Sequence, residues 1–236
     1  MGVLPIVTSG VMLTFTGVVL YRGWLRRRPP LLVWGFGLGM FTLAVLAEVA
    51  LSLDWNPWAF RVWYLCGAML SAPWIGQGTV FLLMRPSFAQ GTAVALATLS
   101  GIALVGVLTL PLTGEAFSPT VPIGQQYLRV MPPDAWVRQM TPGLHLYGLL
   151  TLVGGALYSA WRFWRQGDAP ARMWGNLLVA GGGLAIAFTA TLTRLGLGEL
   201  LHLGELLSAV LMFSGFLVAS APEEASLPHP ASRVRA

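Results

Sequence analysis

Apolar residues run along this chain in seven long blocks, separated by short clusters rich in Arg, Pro, Asp and Trp. The blocks lie at 4–21, 31–53, 59–84, 89–112, 143–161, 174–195 and 198–220. About 20 apolar residues in helical conformation cross the hydrocarbon layer of a bilayer. The pattern therefore predicts an all-α polytopic membrane protein, a bundle of seven transmembrane helices filling residues 1–221. The tail, 222–236, is polar and Pro-containing and is expected to be disordered. Between the fourth and fifth blocks lies the one long loop, 113–142, with five prolines, Tyr127 and Trp136. Loops of this length are commonly lids or binding loops, and these residue types favour a partly ordered cap.

Arginine sets the expected orientation. The loops after blocks one, three, five and seven hold Arg22, Arg26, Arg27, Arg28, Arg85, Arg162, Arg165, Arg172, Arg233 and Arg235. The opposite side holds Arg61, Arg129, Arg138 and Arg194. Ten against four places the first set in the cytoplasm, with the N-terminus outside and the C-terminus inside. The first block is not read as a cleaved signal peptide, because its basic cluster follows the apolar run. Trp55, Trp58, Trp63 and Tyr64 mark the outer interface, and Trp24, Trp34, Trp161, Trp164 and Trp174 the inner one.

Composition agrees. Of 236 residues 56% are hydrophobic and 10% charged, against roughly a quarter charged in a soluble domain. The solvent must be lipid. All 14 basic residues are Arg. Without a lysine amine no retinal Schiff base can form, so a retinal-binding protein is excluded. The net charge of +5 belongs to arginines beside the spans and does not imply a nucleic-acid partner. Cys66 stands alone and forms no intrachain disulfide. Small residues promise close helix packing: Gly35 and Gly39, Gly67 and Ser71, Gly154 and Gly155, and Gly181 to Gly183. Pro73 is expected to kink span three and free backbone groups near Gln77.

Candidate chemistry gathers in TLTRLGLGELLHLGELLS, 191–208, which carries Arg194, Glu199, His202 and Glu205 in an otherwise apolar stretch. On a helix, Glu199, His202 and Glu205 share about a third of the circumference. Glu48 on span two, and His145 with Tyr147 on span five, fall at similar depth in the outer half. Gln77 is the main polar residue of the inner half. A charge at mid-membrane costs roughly 2.5–3.5 kcal/mol, so these groups need partners, protonation or water. Together Glu48, Gln77, His145, Tyr147, Arg194, Glu199, His202 and Glu205 suggest an outward-facing polar pocket for a small or lipid-like ligand, closed by the 113–142 loop.

Other chemistries use the same residues. His145 and His202 offer two axial imidazoles for haem b and electron transfer. His145, His202, Glu205 and Glu48 offer N/O ligands for zinc and metal-assisted hydrolysis. That set loosely resembles the seven-span zinc hydrolases of the ceramidase and adiponectin-receptor type, but span seven has one His where those proteins have more. Against all of these, Arg194 and Glu199 can reach the headgroups while Glu205 bonds within the bundle.

The segment DWNPWAFRVWYLCGAMLSAPWIGQG, 54–78, resembles the seven-span sensor region found N-terminal to bacterial histidine kinases and cyclases. The resemblance implies an N-out protein of the bacterial cytoplasmic (inner) membrane that senses an extracytoplasmic ligand. Those proteins carry a cytoplasmic output domain. Here about 15 residues follow span seven, so the output is expected from a separate partner protein. The leading expectation is a receptor-like or partner-associated subunit that is not an enzyme; a purely structural subunit of a larger complex is the third possibility.

Overall fold

The computed structural model describes residues 3–115, 117–167, 169–194 and 197–221, and among them every regular element is helical. Among the described residues seven helices are long and apolar enough to cross a membrane, which makes the chain a multi-pass membrane protein. They are span one Val3–Leu25, span two Pro29–Leu51, span three Pro57–Leu83, span four Pro86–Leu108, span five Val137–Gln166, span six Pro170–Arg194 and span seven Leu201–Ala219. The expected tail, 222–236, lies outside the described residues.

Local chemistry sets the helix ends. Spans two, three, four and six each begin on a proline, whose fixed φ suits the first helical position and whose missing N–H is not needed there. Asn56 caps span three, its side-chain oxygen accepting from the backbone N–H groups of Trp58 (2.9 Å) and Ala59 (3.0 Å). Span five ends at Gly167, whose φ of 71° lies in the left-handed region open to glycine.

Several boundaries differ from expectation, the start of span five most. Span five starts at Val137, six residues before the block read from sequence, so the connection after span four is 109–136 rather than 113–142. Pro142 reads as a breaker, yet it sits in the second turn of this helix, where it deprives only one carbonyl of its donor. In span three the irregularity lies on the N-terminal side of Pro73. Residues Trp63–Leu70 form a wide π turn in which the Ser71 N–H bonds to the Cys66 carbonyl. The proline ring and missing N–H act on that preceding turn, and such turns are frequent at functional sites. A second π turn, Leu150–Gly154, interrupts span five.

Spans one, two, three, five, six and seven form a ring, each packed on the next and seven closing on one. Span four leans on the outside of three and five and is the least buried of the seven. Glycines set the closest crossings, though not always those expected. A Cβ on Gly37 would meet the Ile75 backbone N at 2.5 Å, whereas Gly39 has only the Thr16 methyl at 3.8 Å. Gly148 of span five lies against Ala72 and Pro73 of span three. Gly175, Gly182 and Gly215 bring spans six and seven into backbone contact, and Gly204 lies against the Thr189 side chain. At the far end Arg22 ties span one to span seven, donating to Ser220 Oγ at 2.6 Å and lying over the Phe216 ring.

The aromatics divide. Trp24, Trp58, Trp161, Trp164 and Trp174 are exposed, as an interfacial belt requires. Trp34, Trp63 and Tyr64 are buried, so they are core and not belt residues. Trp34 donates to Thr79, Trp63 to Glu48, and Tyr64 shares a hydrogen bond with Thr141. Each ring found an internal polar partner for its N–H or O–H, which is what lets it leave the interface.

Candidate functional site: a buried carboxylate–histidine centre

Spans two and seven both flank span one, and their side chains meet inside the ring. Glu48 stands one turn from the end of span two, and His202 and Glu205 occupy the first turns of span seven on one face. His202 Nδ1 lies 3.4 Å from Glu205 Oε2 and 3.5 Å from Glu48 Oε2. One donor atom from each of the three residues falls within 4.8 Å of the others. Glu48 is 4% exposed and Glu205 6%. Trp63, at the start of the π turn, donates its Nε1–H to Glu48 Oε1 at 2.9 Å. That bond fixes the carboxylate and turns its second oxygen inward. Glu48 Oε2 is fully buried and, among the described residues, has no hydrogen-bond partner.

The connection after span four folds into a cap over this centre. Its helix, Ile123–Val130, presents Tyr127 against both Trp63 and Tyr64, with ring centroids 6.1 Å apart in each case. Buried Gln126 staples the cap to itself. Its amide donates to the Ser118 and Val121 carbonyls, and its oxygen accepts from the Ser118 N–H. Phe117 packs at a tilt against Trp55, with ring centroids 5.0 Å apart. Arg61 holds the cap's root, donating to the carbonyls of Val107 (3.1 Å) and Leu110 (2.9 Å). Gly124 lets the cap helix close on Leu201, one residue before His202. Over its described residues the connection is built on aromatic contact with span three.

Of the candidate residues read from sequence, Glu48, His202 and Glu205 come together. Gln77 and Tyr147 form a second polar centre. Tyr147 donates to Gln77 Oε1 at 2.5 Å, and Gln77 Nε2 donates to the Ala89 carbonyl (2.9 Å) and to Thr92 Oγ1 (3.2 Å). Gln77 is 14 residues beyond Trp63 on the same span, a separation of about 20 Å along a helix. His145 is half-buried two residues from Tyr147 and is not among the three clustered donors. The side chains of Arg194 and Glu199 lie outside the described residues. Trp63 is the residue that sequence reasoning missed as a site member; its place four residues inside an apolar run, beyond Trp58, was the available signal.

The two centres differ in kind. At Gln77 both amide hydrogens and the oxygen are satisfied, as a structural tie between spans three, four and five should be. Gln77→Leu is expected to cost about 0.6–1.7 kcal/mol, the range for hydrogen bonds between membrane helices, measured as the shift of the unfolding midpoint in mixed micelles. At the Glu48 centre two carboxylates face one imidazole in a low-dielectric interior. With His202 protonated and both acids ionised, these three groups sum to −1, and among the described residues Glu48 Oε2 has no hydrogen-bond donor. No family model, no curated protein and no solved structure matches this chain.

Proposed function

We propose that this chain is a receptor-like protein of a bacterial cytoplasmic membrane, N-terminus outside, that binds a small ligand at the Glu48–His202–Glu205 centre. The observation that carries the reading is Glu48 Oε2, buried, aimed at His202 and without a hydrogen-bond partner among the described residues. Buried polar groups that serve only packing have their hydrogen bonds closed, as Gln77 does. A charge-bearing group in a membrane that leaves one open marks a functional site by default. The aromatic cap supports the same reading, because it shields the centre at one end of the bundle while Trp63 links cap and site. The orientation rests on the arginine asymmetry.

Native mass spectrometry of the protein released from nanodiscs tests this. The wild-type spectrum is expected to carry an adduct that the H202A/E205A variant lacks. A wild-type protein with no adduct, or an adduct unchanged in the variant, would defeat the ligand reading.

A further inference from the structure

We infer that the ligand of the Glu48–His202–Glu205 centre is a divalent first-row metal ion of the zinc class, held by His202 Nδ1 and one carboxylate oxygen from each glutamate. The inference rests on the ligand reading above and specifies its chemistry.

Distance is the first argument. A charge-assisted N–H···O bond between an imidazolium and a carboxylate closes to about 2.7–2.9 Å. Here Nδ1 stands 3.4 and 3.5 Å from two carboxylate oxygens at once. Zinc binds imidazole nitrogen and carboxylate oxygen at about 2.0–2.2 Å in tetrahedral array, which separates neighbouring donors by about 3.3–3.6 Å. Both spacings therefore match edges of a coordination tetrahedron better than they match hydrogen bonds. The three donors are already within 4.8 Å of one another, so an ion fits with small side-chain adjustments.

Charge is the second. Two carboxylates and a neutral imidazole around a divalent cation sum to zero. A divalent ion therefore leaves no uncompensated charge inside lipid, where such charge is most costly. The nitrogen donor favours a transition metal over calcium or magnesium, which take oxygen ligands.

The surroundings are the third. Ligating carboxylates are themselves hydrogen-bonded in metal sites, and those outer partners orient them. Trp63 does this to Glu48: it occupies Oε1 and leaves Oε2 for the centre. With three protein donors the fourth position is open, as in sites that take water or an exogenous ligand. His145 is not required as a fourth donor.

The test uses full-length protein in nanodiscs, stripped with chelator, confirmed folded by circular dichroism and titrated with zinc ion alone. One zinc per chain is expected by elemental analysis. Cobalt in its place should give visible d–d bands. E205Q and E48Q should each lose stoichiometric binding, W63F should weaken it about 10–100-fold, and H145A should leave it unchanged. Folded wild-type protein that takes up neither ion would overturn the inference, as would zinc retained at full stoichiometry in E48Q, H202A and E205Q. If a variant does not fold, the wild-type titration and W63F still decide. The mass spectrum separates the two failures. An organic adduct lost in H202A/E205A, with no zinc uptake, overturns the metal and keeps the ligand reading. No adduct and no uptake overturns both.

Discussion

Replacing His202 by alanine is expected to destabilise the bundle by about 3–5 kcal/mol, the cost of removing one partner from a buried charged cluster. The imidazole stands between two carboxylates that are 4% and 6% exposed. Without it, and with no ion bound, two ionised carboxylates would confront each other in a medium where Coulomb forces are weakly screened. The loss should therefore be recoverable. In the triple variant H202A/E48Q/E205Q the charges are gone, and the amide oxygen of residue 48 still accepts from Trp63. Most of the stability should return, because charge-free replacement of a buried ionic cluster is often neutral. Unfolding midpoints in mixed micelles, read for wild type, single and triple variants, decide it. If the single variant is as stable as the triple one, the centre is solvated and the account of its energetics is wrong. The contrast with Gln77, whose loss is expected to cost about a third as much, separates a charged centre from a neutral tie.

Gly215→Leu is expected to cost at least about 3 kcal/mol, at or above the upper end of overpacking penalties. A Cβ there would lie 2.6 Å from the Gly175 carbonyl oxygen and 2.9 Å from the Val179 nitrogen. Both are backbone atoms of span six, so no side chain can turn aside; the helices must separate. In lipid, separation forfeits the van der Waals contact that drives helix association. Gly101→Leu on span four is the matched control, since nothing lies within 4 Å of its added Cβ. It exchanges a poor helix former for a good one and should be neutral or slightly stabilising. Equal midpoints for the two variants would mean that spans six and seven do not pack through their glycines.

The same two regions show how far the chain can be read without its structure. Seven apolar blocks of bilayer length determine seven helices, because backbone groups in lipid have no other way to close their hydrogen bonds. Prolines at 29, 57, 86 and 170 mark four helix starts by steric rule alone. The clustering of Glu48, His202 and Glu205 at one depth was also legible, since depth follows from distance to the end of each span.

Three things were not legible. Which of several glycines meets a backbone depends on the rotation of each span about its axis, so Gly37 and Gly215 matter where Gly39 and Gly154 do not. Trp63 and Tyr64 read as interfacial because composition cannot tell a ring facing headgroups from one facing an internal polar partner; Glu48 of span two and Thr141 of span five supply those partners, and the cap supplies the cover. And the polar residues that depth alone gathered into one pocket are parted by packing. Gln77 and Tyr147 face span four, while Glu48, His202 and Glu205 face one another across the ring. Sequence thus determined what each span is and how deep its polar groups lie, both of which are properties of a single helix in lipid. Helix rotation, ring order and cap closure determined which groups touch, because those are set only when all seven spans compete for the same buried surface.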